Sequence, residues 1–146
     1  MKKIVLAVFM AAMALSLSAQ INFREGSFAE ALEAAKSENK LVFMDCYTSW
    51  CGPCKLMASK EFVQEKAGEY FNPRFVSVKI DMEKGEGVEL RKRYDVNAYP
   101  TLLVLNVKGE LLCRHAGYLS RRIDRLCGEW CEGRRISGYA QTLCRW

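Results

Sequence analysis

A chain of 146 residues has room for one domain of ordinary size, and with half its residues apolar and 27% charged it can bury a core unaided. That composition excludes a disordered chain, and the seven cysteines are not needed as staples. The formal charge of +5 falls to +3 without Lys2 and Lys3, with 20 basic against 17 acidic side chains, too weak a balance to argue for nucleic acid.

Read in chain order, residues 1–19 have the layout of a secretory signal peptide. Lys2 and Lys3 are followed by an apolar run from Ile4 to Leu15, then by Ser16-Leu17-Ser18-Ala19 before Gln20. The run is shorter than the roughly 20 apolar residues that span a bilayer, so cleavage after Ala19 is expected rather than anchoring. No cysteine lies near the cut to carry a lipid. The mature protein is expected to be soluble and either periplasmic or secreted.

Ser27 and Glu30 then form a capping box, and Phe28, Ala31, Leu32 and Ala35 recur at helical spacing until Asn39-Lys40. Leu41 to Met44 is a short apolar run of the kind found in buried parallel strands. A helix is predicted from Cys51 or Gly52, because Pro53 suits a first helical turn, where its missing N–H costs nothing. Asn72-Pro73 interrupts, and Phe75 to Ile80 alternates as a second central strand. Glu86 to Tyr94 is helix-compatible. Thr101–Val107 and Glu110–Cys113 read as two strands joined at Lys108-Gly109. From Ser120, residues Ile123, Leu126, Cys127 and Trp130 repeat as on one helix face, and Ile136, Tyr139, Ala140 and Leu143 suggest a last short helix. Arg121, Arg122, Arg125, Arg134, Arg135 and Arg145 make the end of the chain basic, which reads as a solvated helix face.

The chemistry concentrates in Trp50-Cys51-Gly52-Pro53-Cys54-Lys55. Two cysteines at this spacing can close a disulfide or hold a metal. Their position, after an apolar strand and at the start of a helix, sets Cys51 at the positive end of the helix dipole. That field favours thiolate over thiol. Cys54, one turn in, is expected to be more buried and less ionised. The asymmetry implies that Cys51 attacks a substrate disulfide and Cys54 resolves the mixed disulfide.

The segment Asp45-Cys46-Tyr47-Thr48-Ser49-Trp50-Cys51-Gly52-Pro53-Cys54-Lys55, followed by Tyr99-Pro100-Thr101, resembles the thioredoxin superfamily. With Asp81-Met82-Glu83-Lys84-Gly85-Glu86-Gly87, it resembles more narrowly the exported thioredoxin-like proteins of Bacteroidetes-type bacteria. The likeness runs from about Phe28 to Tyr118. It implies an α/β thioredoxin fold, with a central mixed sheet, a C-terminal β-hairpin and flanking helices. The domain would span residues 20–132, leaving 133–146 as a short helical tail.

By the same resemblance, Asp45 matches a buried carboxylate beneath the cysteine pair, which takes the Cys54 proton through water; the apolar run before it favours that burial over an exposed strand-end charge. Pro100 matches a cis-proline facing the disulfide. The backbone of Tyr99 would pair with substrate as an added strand, while Trp50, Gly52 and Pro53 shape the surface around Cys51. Many thioredoxins place a lysine beside the buried aspartate; Ser77 stands at that position and Lys79 is offset by two residues, so that role is not carried over.

The implied activity is that of a thiol–disulfide oxidoreductase whose redox-active group is the Cys51–Cys54 disulfide, with no separate cofactor or metal. Its substrates would be disulfide-containing exported proteins. A reducing role would need a membrane electron donor, because space outside the cytoplasm is oxidising. Disulfide oxidase or isomerase chemistry is the alternative direction.

Of the remaining cysteines, Cys46 reads as a buried inert thiol, and Cys113, Cys127, Cys131 and Cys144 leave an odd total. Cys127 and Cys131 are one helical turn apart and could bridge, join Cys51 and Cys54 around zinc, or simply pack. A noncatalytic protein-binding module is a further alternative. Covalent haem attachment lacks its histidine, since Lys55 follows Cys54. The lone His115 has no orienting partner in sequence for Cys–His hydrolysis.

Overall fold

A computed structural model describes residues 20–119, so the expected signal peptide, the basic C-terminal region, Cys127, Cys131 and Cys144 lie outside the described residues. Five strands and four helices follow in the order β1 (Phe23–Arg24), α1 (Phe28–Glu38), β2 (Leu41–Tyr47), α2 (Gly52–Lys60), α3 (Glu65–Phe71), β3 (Phe75–Asp81), α4 (Gly87–Arg93), β4 (Thr101–Leu105) and β5 (Leu111–Ala116). The sheet runs β1-β3-β2-β4-β5. Its first three strands are parallel, while β4 and β5 join antiparallel as a terminal hairpin. This is the mixed sheet with hairpin and flanking helices expected from sequence.

Helix α1 begins as predicted. Ser27 Oγ accepts the Glu30 N–H, and Glu30 returns its carboxylate to the Ser27 N–H. It ends at Asn39, whose φ of 54° is left-handed and turns the chain into β2. Alternation along β2 sends Leu41, Phe43 and Asp45 to one face and Val42, Met44 and Cys46 to the other. Phe43 centres the first core, with the Phe71 ring 4.5 Å away and Met57 of α2 in the same cluster. Met44 and Cys46 pack with Phe28, Ala31 and Ala35 of α1 in the second core.

Four boundaries differ from the sequence reading. Strand β2 continues through Asp45 and Cys46 to Tyr47, which carries a carboxylate into the sheet. The helix from Gly52 stops at Lys60 and a separate α3 follows, because the chain pauses to plant Phe62 in the core. The carbonyl of Phe62 also accepts the Ile21 N–H, tying down the lead into β1. Finally, β4 ends at Leu105 rather than Val107: Asn106 Oδ1 accepts the N–H groups of Lys108 and Glu110 and starts the turn early. Gly109, at φ +76°, completes that turn, and β5 runs from Leu111 to Ala116 rather than ending at Cys113. Among the described residues, no helix is long and apolar enough to cross a membrane.

Candidate active site

The two cysteines are joined. Cys51 and Cys54 form a disulfide with their Cα atoms 5.3 Å apart. Cys51 is the N-cap of α2, with Gly52 and Pro53 in the first turn. The Cys54 N–H donates to Cys51 Sγ at 3.1 Å, so one of the donors left over at a helix start points at this sulfur. When the bond is reduced, that N–H and the helix dipole both favour negative charge on Cys51. The expected difference in burial is absent: both residues are 3% exposed. What distinguishes them is position, Cys51 at the helix cap and Cys54 inside the first turn.

Asp45 is 1% exposed, so the strand-end alternative does not hold. It lies on the sheet face where α2 packs, one turn of helix separating Met57 in that core from Cys54. Burial pushes its carboxyl up to about 6, against the opposing pull of the Lys79 ammonium. Lys79 does occupy the role withheld from it. It is the direct partner of Asp45 in the parallel ladder and brings Nζ to 3.3 Å from Oδ2. The two-residue offset keeps the side chain on the same face, because strand side chains alternate with a period of two. Ser77, also buried on β3, lies opposite Phe43 instead.

The Lys79 ammonium sits over three rings, Phe23 and Tyr47 at 5.3 Å and Phe62 at 5.4 Å. It also lines a cavity of about 310 Å³ with Phe23, Ala58 and Phe62. Lys79 therefore stands between this cavity and a carboxylate that is itself closed off from solvent. Although the ammonium is within ion-pair range, neither Asp45 oxygen has an aligned hydrogen bond.

The Tyr99–Pro100 peptide is cis, as the resemblance implied. Pro100 is buried, and its carbonyl accepts the Gly117 N–H at 2.8 Å, fixing the segment to the end of β5. Trp50 is 65% exposed and meets the Tyr99 ring edge-on at a centroid distance of 5.9 Å. Its indole N–H donates to Glu83 Oε2 at 2.9 Å. Glu83 touches Trp50 rather than the cysteine pair, and sequence reasoning did not assign it, although the segment containing it stood out. Gly52 and Pro53 are exposed at the rim, with open space where a Gly52 side chain would go.

Cys46 is buried on the opposite face, and burial together with the neighbouring Asp45 charge pushes its thiol well above the ordinary range, as an inert thiol requires. Cys113 is buried in the first core. His115 lies on β5 opposite Leu102, and burial lowers its basicity. Among the described residues, no group of three or more His, Cys, Asp or Glu is placed to hold a metal ion. The arrangement can cycle between a disulfide and a dithiol, and Asp45 places a buried carboxyl of raised pKa on the sheet face that α2 covers.

Comparison with known proteins agrees with this geometry. The sequence model of the Thioredoxin family matches residues 19–122. A solution structure of a proposed disulphide-isomerase from Bacteroides thetaiotaomicron is 49% identical, with a TM-score of 0.67, and covers 82% of this chain and 97% of its own. Thioredoxin-T of Drosophila melanogaster is 36% identical over 62% of this chain and 54% of its own length, so the chain spans about half of that relative. The thiol:disulfide interchange protein DsbD of Pseudomonas fluorescens is 27% identical over 77% of this chain but 18% of its own length.

Proposed function

Because this chain belongs to the thioredoxin family, we propose that it is a thiol–disulfide oxidoreductase that reduces disulfides of exported proteins through Cys51 and Cys54. One observation carries the reading: the two sulfurs are bonded at the head of α2, with the Cys54 N–H directed at Cys51 Sγ. In the reduced protein, the Cys51 thiolate attacks one sulfur of a substrate disulfide. A mixed disulfide forms and the other substrate sulfur leaves as a thiolate. Asp45 accepts the Cys54 proton through water. The Cys54 thiolate then attacks Cys51 Sγ, the second substrate sulfur departs, and two electrons have passed to the substrate.

No cofactor besides the cysteine pair enters this cycle. Each turnover leaves Cys51–Cys54 oxidised, so a dithiol donor must restore it. For a chain whose residues 1–19 read as an export signal, that donor is a membrane protein that carries electrons outward, and the partial likeness to DsbD supports such a partner. Trp50, Gly52, Pro53, Tyr99 and Pro100 form the rim against which the substrate lies. The likeness to a proposed disulphide-isomerase favours isomerisation as the second reading.

Insulin reduction with dithiothreitol as donor tests the assignment. Cys51→Ser abolishes turnover, and Cys54→Ser accumulates a mixed disulfide visible on a non-reducing gel. Full turnover by Cys51→Ser would contradict it.

A further inference from the structure

We propose that Glu83 is a positioning residue that fixes Trp50 as a wall of the substrate groove, and that the loop from Asp81 to Gly87 is built to hold it there. The inference rests on the exchange reading above and concerns how that site recognises a polypeptide disulfide. An indole as exposed as that of Trp50 has little packing to orient it. Two contacts do so instead. The Glu83 carboxylate accepts its N–H at 2.9 Å, and the Tyr99 ring meets it edge-on at 85°. The wall next to Cys51 is thus pinned from a loop 33 residues away in sequence.

The loop is tied down at nearly every residue. Asp81 Oδ1 accepts the Glu83 N–H at 3.0 Å, an Asx turn that aims the Glu83 side chain. The Asp81 carbonyl accepts the Lys84 N–H, and the Lys84 ammonium lies 3.5 Å from Asp81 Oδ2. Met82 is fully buried, and its N–H donates to the Tyr47 carbonyl at 2.8 Å, two residues past Asp45 on β2. Glu86 Oε1 accepts the Phe28 N–H at 2.8 Å and so anchors the far end to α1. Gly87 closes the loop against Asp81: a Cβ there would collide with the Asp81 carbonyl oxygen. The side chains of Asp81, Met82, Lys84 and Glu86 serve the loop itself, and that of Glu83 reaches out to the groove.

A fixed Trp50 matters to a substrate whose chain continues on both sides of its disulfide and lies against both Trp50 and the Tyr99–Pro100 segment. It matters little to a small disulfide that meets only Cys51. Glu83 therefore acts on recognition of polypeptide disulfides and leaves the sulfur chemistry alone.

The test compares insulin with hydroxyethyl disulfide in Glu83→Ala and Glu83→Gln. Glu83→Ala is expected to raise KM for insulin roughly fivefold, the scale of one solvent-exposed hydrogen bond, with kcat within about twofold. Its rate on hydroxyethyl disulfide is expected to match the parent. Glu83→Gln, which keeps an oxygen acceptor for the indole, restores most of the insulin KM. The Trp50 indole N–H resonance, assigned with Trp50→Phe, should exchange faster in Glu83→Ala and stay protected in Glu83→Gln. In a Trp50→Phe background, Glu83→Ala should add nothing. An unchanged insulin KM in Glu83→Ala, equal loss on both disulfides, or an added loss in the Trp50→Phe background overturns the positioning role alone. A parent protein that reduces neither disulfide overturns the exchange reading, and this inference with it.

Discussion

Lys79 and Asp45 face each other across the β2–β3 ladder, their charged atoms 3.3 Å apart, one partly exposed beside a cavity and the other sealed in the sheet. Burial alone would drive the carboxyl higher than about 6; the ammonium draws it back towards the range where it can exchange a proton near neutral pH. On the proposed exchange mechanism, the pair sets the pH at which Asp45 is free to accept the Cys54 proton.

Removing the cation should move that threshold. In Lys79→Met, Asp45 loses the ammonium that opposes its desolvation, and its pKa rises above about 6. The acidic limb of the pH–rate profile for insulin reduction is expected to shift to higher pH, with the alkaline plateau retained. An unmoved limb would separate Lys79 from the proton step.

Asp45→Asn should slow turnover near pH 7 and stabilise the fold. A buried carboxyl with a raised pKa holds its proton more tightly when folded than when unfolded, so folding stability falls as pH rises from about 4 to about 6. Asparagine removes that loss. Urea denaturation is expected to show Asp45→Asn more stable than the parent by about 2–3 kcal/mol at pH 7, with little difference near pH 3. A gain of equal size at both pH values would point to packing instead.

Phe43 stacks tilted on Phe71 at 4.5 Å and meets Phe62 and Phe75 within 6.3 Å, all on the face that carries Asp45. Phe43→Ala is expected to destabilise the fold by about 3–5 kcal/mol in the same assay. A loss under 1 kcal/mol would mean this core does not support the site.

Export is tested by expression in a Gram-negative host. Intact mass of the protein recovered outside the cytoplasm should give an N-terminus near Gln20. Recovery with Met1 and residues 2–19 still attached would contradict cleavage.

Much of this site is legible in sequence because its chemistry is local. Cys51, Pro53 and Cys54 announce a helix start, and Ser27 with Glu30 announces another, through short-range rules that the structure obeys. The apolar run ahead of Asp45 foretold its burial. Lys79 was misplaced because alignment by position ignores register: a shift of two residues along a strand returns to the same face. Helix α3 has no sequence signal because the stop at Glu61 is tertiary, set by Phe62 entering the core and by the Tyr118 hydroxyl on the Glu61 carboxylate. Strand β1, two residues long, exists only through its pairing with Ser77 and Val78. Glu83 escaped for a similar reason, since its partner Trp50 lies on a different element and no local pattern links them.

The central claim is that Cys51 and Cys54 work as a reducing couple, and their reduction potential tests it most directly. The mature protein, equilibrated against glutathione or dithiothreitol buffers and read by thiol alkylation, should titrate near about −270 mV, the value of a Gly-Pro-spaced thioredoxin pair. A value near about −120 mV would make the protein a disulfide donor and contradict the reducing direction. Absence of any redox transition would contradict the thiol–disulfide assignment itself.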